Sequence, residues 1–313
     1  MFLSTSSQTN ARVQRAFPSG AASEDARALI GTAPAPPDDR APDRTSVIVI
    51  EIELSTPVAV AAVLDEAASQ PESAHTFIKG LTADGAWQHV KDRRATGPYT
   101  HVAVEIMFLD HDAPVPRLQV ERQIRWARGA LGALADRPPT ESMTSAAALA
   151  RANAAFDLRA SFEDHGVDVG VMVVAPEGKR FAGRLVWDVA YSAGFRWGDG
   201  DYFHWVPSPE TDVSQGIGMG TTTGLSYFMP EWVDDLDDLE MSFNVARTFR
   251  PDAVFEVMLR AANYIAQRLG GTVLDRSGEP FDEAAARARV DAIVASIAAA
   301  DLVPGSGLAL QVF

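Results

Sequence analysis

The sequence predicts an α+β protein made of two tandem domains, each an open sheet backed by helices on one face. Three observations carry this. The chain has 313 residues, enough for about two domains at roughly 150 residues each. Apolar residues make up 47% and charged residues 22%, an ordinary globular balance that can build cores. The pattern of the first half, strand, helix, sheet, strand, helix, helix, recurs in the second, as in a divergent tandem repeat.

Residues 1–45, with "GTAPAPPDDRAPDRT", carry too little apolar surface to offset ordering entropy and read as a disordered tail or linker. The first domain, 46–165, opens with "SVIVIEIELS". There Ile48, Ile50, Ile52 and Leu54 alternate with Val47, Val49, Glu51 and Glu53, the period of a strand. "TPVAVAAVLDEAASQ" reads as a helix capped by Thr56, with Pro57 at its first position. "HVAVEIMFLD" is a second strand. "VPRLQVERQIRWARGALGAL" is a helix whose apolar positions include Leu118, Ile124, Leu131 and Leu134, and an Ala-rich helix follows the proline break.

The second domain, 166–313, begins with the strand "VDVGVMVVAP" and the helix "FAGRLVWDVAYSAG", which Gly194 stops. "GFRWGDGDYFHW" follows, then "SPETDVSQGIGMGTTT" as a loop. Two short strands come next, "GLSYFMPEW" and "EMSFNVAR", divided by the acidic run "VDDLDDLE". Pro251 opens a helix with Val254, Met258, Ala262, Ile265 and Leu269 on one stripe, and Gly270 and Gly271 end it. "TVLD" is a short strand and "FDEAAARARVDAIVASIAAAD" a closing helix. "GLALQVF" reads as a last strand or a tail.

The net charge of -15 repels phosphate backbones, so nucleic acid is not an expected partner. With no cysteine there are no disulfides, thiolate metal sites or cysteine nucleophiles, which fits a cytoplasmic protein. No apolar run approaches the roughly 18–20 residues of a transmembrane helix, and "MFLSTSSQTNARVQRAF" lacks the apolar core of a signal peptide. Direct membrane insertion is therefore not expected, and the oligomeric state is left open.

The search for chemistry yields little. Gly216, Gly218 and Gly220 in "QGIGMGTTTG" lack the preceding strand and following helix of a dinucleotide site, so a flexible loop is the better reading. His111 in "LDHDAP" has no clustered ligand set around it. His204 lies in a strand without an evident partner for acid–base work. The expectation is a binding protein with no catalytic residues, no metal and no cofactor; a hydrolase using His204 or His111 would need a deep pocket with a carboxylate beside the histidine.

The segments "SAGFRWGDGDYFH" and "FNVARTFRPDAVFEVMLRAANYIAQRLGGTVLD", with the helix after them, resemble the C-terminal FtsZ-binding domain of ZipA over roughly residues 167–300. The first half, mainly through "VAVEIMFLD", resembles the extra N-terminal module of two-domain ZipA-like proteins of betaproteobacteria. The resemblance implies two tandem split β-α-β domains of ferredoxin-like, ZipA C-terminal type. Each would be an antiparallel sheet with helices on one face and the other face partly open. It further implies a non-enzymatic module of cell division that binds the C-terminal tail peptide of an FtsZ-like protein on the open face.

Strand parity then assigns the faces. Met241, Phe243 and Val245 are expected toward the helices, with Met172 and Val174. The expected peptide-binding set is Val169, Val171, Val173, Gly200, Tyr202, Tyr227, Met229, Ser242 and Asn244, with His204 pointing outward beside them. Two positions depart from the family: Ser242 stands where an aromatic is usual, and Gly200 where a methionine is. ZipA's own membrane helix has no counterpart in this sequence. These departures and the acidity keep a second reading open, a soluble acidic adaptor or inhibitor that binds a different protein.

Overall fold

The computed structural model describes residues 28–36, 41–68, 76–110, 113–135, 137–162, 166–209, 211–222, 224, 226–229 and 235–313. These fall into two compact units. The first comprises 37–163 with 300–302 and 306–313; the second comprises 1–36, 164–299 and 303–305. Each is an antiparallel sheet with helices, the tandem split β-α-β arrangement.

In the N-terminal unit, β1 (Ile48–Val58), β2 (Thr76–Thr82), β3 (Trp87–His89), β4 (Tyr99–Ile106) and β7 (Thr140–Glu141) form a sheet in the order β3-β2-β4-β1-β7. A small ribbon, β5 (Leu109–Asp110) with β6 (Ala113–Pro114), follows β4. Helices α1 (Val60–Ala67), α2 (Arg117–Leu134) and α3 (Ser145–Ser161) complete the run. Ile48, Ile50 and Ile52 lie opposite Ile106, Val104 and Val102. In-register antiparallel partners share a face, so these six form the buried layer beneath α2, which packs on β1 and β4.

The C-terminal unit repeats the order. Its elements are β8 (Asp168–Val174), α4 (Gly183–Ser192), β9 (Arg196–Trp197), β10 (Phe203–Trp205), β11 (Ile217–Gly220), β12 (Asp238–Asn244), α5 (Pro251–Leu269), β13 (Thr272–Leu274) and α6 (Glu283–Ala299), with sheet order β13-β8-β12-β11-β10-β9. In both units the first strand sits between the last meander strand and a short edge strand that follows the long helix. Pro251 opens α5 at its first turn, and Gly270, at φ 72°, closes it in the left-handed conformation glycine adopts freely.

Several expectations need correcting. Thr56 and Pro57 do not start a helix: β1 runs to Val58, its ladder shifts register between Glu53 and Val58, and α1 begins at Val60 without a side-chain cap. A proline fits there because it falls where the ladder is interrupted. Leu118, expected on the apolar stripe of α2, is 73% exposed in the first turn, while Ile124 and Leu131 are buried. "GLALQVF" is neither strand nor tail but helix α7 (Gly307–Val312), with the Ser306 hydroxyl accepting from the Ala309 N–H. The glycine-rich "QGIGMG" is not a flexible loop. It supplies β11, paired on both sides by β10 and β12. "GLSYFMPEW", expected as a strand, forms no named strand among its described residues.

Parts of the expected tail are bound down. Ile30 is buried, and its carbonyl accepts from the Arg260 Nε at 2.6 Å. Residues 41–46 are held to the N-terminal sheet. His111 lies outside the described residues.

Candidate functional site

The register of the C-terminal sheet decides which side chains share a face. Met241 lies opposite Val171, Phe243 opposite Val169, and Leu239 opposite Val173. Met241 also lies opposite Met219, and Met219 opposite Phe203. From α4, Trp187 meets the Phe203 ring edge-on at 4.9 Å, and Phe228 meets Phe203 at 4.9 Å. That whole set is the helix-covered face, and α5 packs on β8 and β12.

This corrects the expected orientation of Val169, Val171 and Val173. They do not stand on the open face; they are buried against the helices, Val171 and Val173 completely. The sequence "DVGVMVV" is apolar at both parities, so a single strand cannot report its own inside. Met241, correctly expected toward the helices, fixes Val171 to the same side because the two are direct partners. Met172 and Val174, expected inward, are the half-buried residues of the opposite face.

The open face can now be read row by row. One row across the sheet is Arg196, His204, Gly218, Ser242 and Gly170. The next is Gly220, Glu240, Met172 and Leu274. Ser242 and Asn244 lie on this face, half-buried. Small residues therefore floor its centre, and their surroundings differ. A Cβ on Gly220 would come within 2.6 Å of the Tyr202 ring, so Tyr202, 37% exposed, lies over that glycine. A Cβ on Gly170 would meet the Met241 carbonyl oxygen at 2.8 Å and Arg276 Nε at 2.9 Å. Among the described residues the nearest atom above Gly218 is the Ser242 carbonyl oxygen at 3.9 Å. The result is a slot with a bare glycine at its base, between residues that Tyr202 and Arg276 overlie.

Arg276 is fixed by its loop and its partner. The Asp275 carboxylate accepts from the Ser277 N–H, the Ser277 hydroxyl and the Glu279 N–H, and Gly278 turns at φ 86°. Those hydrogen bonds, led by Ser277, hold the Asp275 carboxyl below its ordinary range. Arg276 Nε then pairs with Glu240 at 2.7 Å.

The remaining expected residues sort as follows. Gly200 lies in the Asp199–Asp201 turn at φ 61°, not in a strand. Tyr227 and Met229 are half-buried in the segment after β11. His204 Nε2 lies 2.8 Å from the Asp199 main-chain oxygen; that partner is a carbonyl rather than the carboxylate a hydrolase would set there. Among the described residues no group of His, Cys, Asp and Glu could hold a metal ion. No helix of the described residues is long and apolar enough to cross a membrane. Gly218, Gly220, Gly170, Met172, Val174, Leu274 and Arg276 were missed as members of the face. The Ile217-Gly218-Met219-Gly220 alternation was the available signal, a strand pattern with glycine at every polar-face position.

Residues 168–291 match the family model of the ZipA, C-terminal FtsZ-binding domain. The match runs from the first residue of β8 into α6 and so includes every strand of the open face. No curated protein matches the chain.

Proposed function

We propose, on the premise that residues 168–291 form a ZipA-type FtsZ-binding domain, that the open face of this unit binds the C-terminal peptide of an FtsZ-like protein. The protein then acts in cell division as an interaction module. The observation that carries the reading is the bare slot at Gly218, with Ser242 beside it, between Gly220 under Tyr202 and Gly170 under Arg276. A backbone without a side chain lets a ligand residue approach the sheet closely, which is what a shallow cleft needs to hold a peptide anchor. Ser242, in place of the family's usual aromatic, deepens the slot. Tyr202 supplies apolar contact beside it, and the half-buried Met172, Val174 and Leu274 extend the apolar part of the face toward β13. Asn244 lies on the same face, while Gly200, Tyr227 and Met229 belong to the adjoining segments.

The test is fluorescence anisotropy of a labelled FtsZ C-terminal peptide from the same organism, titrated with the full chain. Saturable binding is expected, and Gly218→Val should remove most of it. Absence of saturable binding at millimolar protein would refute the reading. The Arg276–Glu240 pair lying across the face at Gly170 favours a second reading, that the peptide held there belongs to another protein. Capture of such a peptide, with the FtsZ peptide unbound, would support it.

A further inference from the structure

The N-terminal sheet also has a face turned away from its helices, and the chain itself lies on it. Val47, Val49 and Ala103 form a small buried cluster there, with Trp87 and Met107 packed against it. Lys79 is the register partner of Ala103, and Glu105 of Val49. Both therefore stand on this face, where Lys79 Nζ and Glu105 Oε1 are 3.1 Å apart with their side chains 5% and 8% exposed.

A buried ion pair is expensive to desolvate and needs further polar partners. Here residues 41–44 supply them. Lys79 Nζ donates to the Ala41 carbonyl at 3.1 Å, and the Asp43 N–H donates to Glu105 Oε1 at 2.9 Å. Pro42, between them, is buried. Arg44 closes the contact with a two-pronged bond to Glu51, Nε at 3.1 Å and Nη2 at 2.6 Å. Three strands thus contact four consecutive residues. An ammonium takes a carbonyl, a carboxylate takes an amide N–H, a proline is buried between them, and a second carboxylate takes a guanidinium. Two of these are main-chain contacts that any extended peptide offers, and the other two select a proline followed two residues later by an arginine.

We infer that this face is a peptide-binding site in its own right, occupied by the chain's own residues 41–44. A segment of Pro-Asp-Arg chemistry from another molecule can take their place. The inference concerns the N-terminal unit and does not depend on what the other unit binds. In the resting protein the tethered segment competes at an effective concentration in the millimolar range, so the site is closed to weak ligands.

The test uses a fluorescein-labelled peptide of residues 39–47 and the full chain. Pro42→Gly with Arg44→Ser weakens the tethered segment but keeps Asp43, which builds the turn into β1. This double variant should bind the peptide at least ten-fold more tightly than wild type. Adding Lys79→Met and Glu105→Leu, an apolar replacement of the pair that cores commonly accept, should abolish that binding. A folded double variant that binds no better than wild type overturns the inference, as does binding that survives loss of the pair. Should the double variant fail to fold, wild type decides alone. Excess unlabelled peptide should speed hydrogen exchange at the Asp43 amide by displacing it from Glu105. An exchange rate independent of peptide overturns the inference.

Discussion

Gly218→Val separates stability from binding at one residue. A side chain here meets no obstacle among the described residues: the nearest heavy atom to an added Cβ is 3.9 Å away, in ordinary van der Waals contact. The residue lies in β11, paired on both sides, where a glycine forfeits about 0.5–1 kcal/mol to backbone entropy and a β-branched residue is favoured on a scale of about 1 kcal/mol. The variant should therefore be stabilised by about 0.5–1 kcal/mol, raising the melting temperature by about 1–4 °C for a unit of this size. The same two methyl groups fill the slot. Excluding one large apolar side chain of a ligand removes about 1.5–3 kcal/mol, so peptide affinity should fall by between about ten- and hundred-fold. Thermal melting by circular dichroism and peptide anisotropy read the two effects separately. A melting temperature lowered by several degrees would show that the space above Gly218 is not open. Unchanged affinity in a stabilised variant would show that the peptide does not use the slot.

Val171→Asp should instead damage the fold: a carboxylate on the helix-covered face lacks partners and costs about 3–5 kcal/mol or more, read as lost cooperative melting of the C-terminal unit. Gly220→Ala should be destabilising because its Cβ would strike the Tyr202 ring, and Tyr202→Ala in the same chain should restore stability. Glu256 of α5 has its carboxyl held below the ordinary range chiefly by the Arg287 guanidinium of α6. A depressed carboxylate pKa contributes stability above its unfolded value and loses it as pH falls through the folded value. Glu256→Gln should accordingly lower the melting temperature slightly at neutral pH and leave it unchanged at the acid end, so that the acid limb of the melting profile flattens. Burial pushes the Tyr191 phenol up to about 12 against the opposing charge of Arg196. Its contribution is complete below the ordinary phenol pKa and is lost as pH rises toward 12, so Tyr191→Phe should reduce alkaline unfolding followed by tyrosinate absorbance.

What could be read in advance follows from where the information resides. The long helix Pro251–Leu269 announces itself through a 3.6-residue stripe, a proline start and a glycine stop, all local. The resemblance of "GFRWGDGDYFH" to a peptide-binding domain likewise rests on contiguous residues, and residues 168–291 do match that family. The face of β8 is different. Valines alternate with glycine, methionine and valine, and only the partner strand, through Met241 opposite Val171, says which parity points inward. β11 was hidden for a related reason. Two of its four residues are glycine, so propensity argues against a strand that cross-strand pairing nonetheless builds. Residues 41–45 read as part of a linker because the stretch they end is polar and proline-rich; the groups that hold them, Lys79 and Glu105, lie far along the chain.

Helix α7 has a consequence for how the protein is made. It packs on α3 and β5, Phe313 meets Phe162 edge-on, and Gly307 abuts Asp43 and Ser46. The N-terminal unit is thus completed by residues translated after the whole of β8 to α6. While the ribosome is still extending the chain, residues 41–162 lack a piece of their own structure, whereas the C-terminal unit has all of its sheet and helices by residue 299. The half synthesised first is the half that finishes second. A premature stop just after Gly305 would spare the later unit and harm the earlier one.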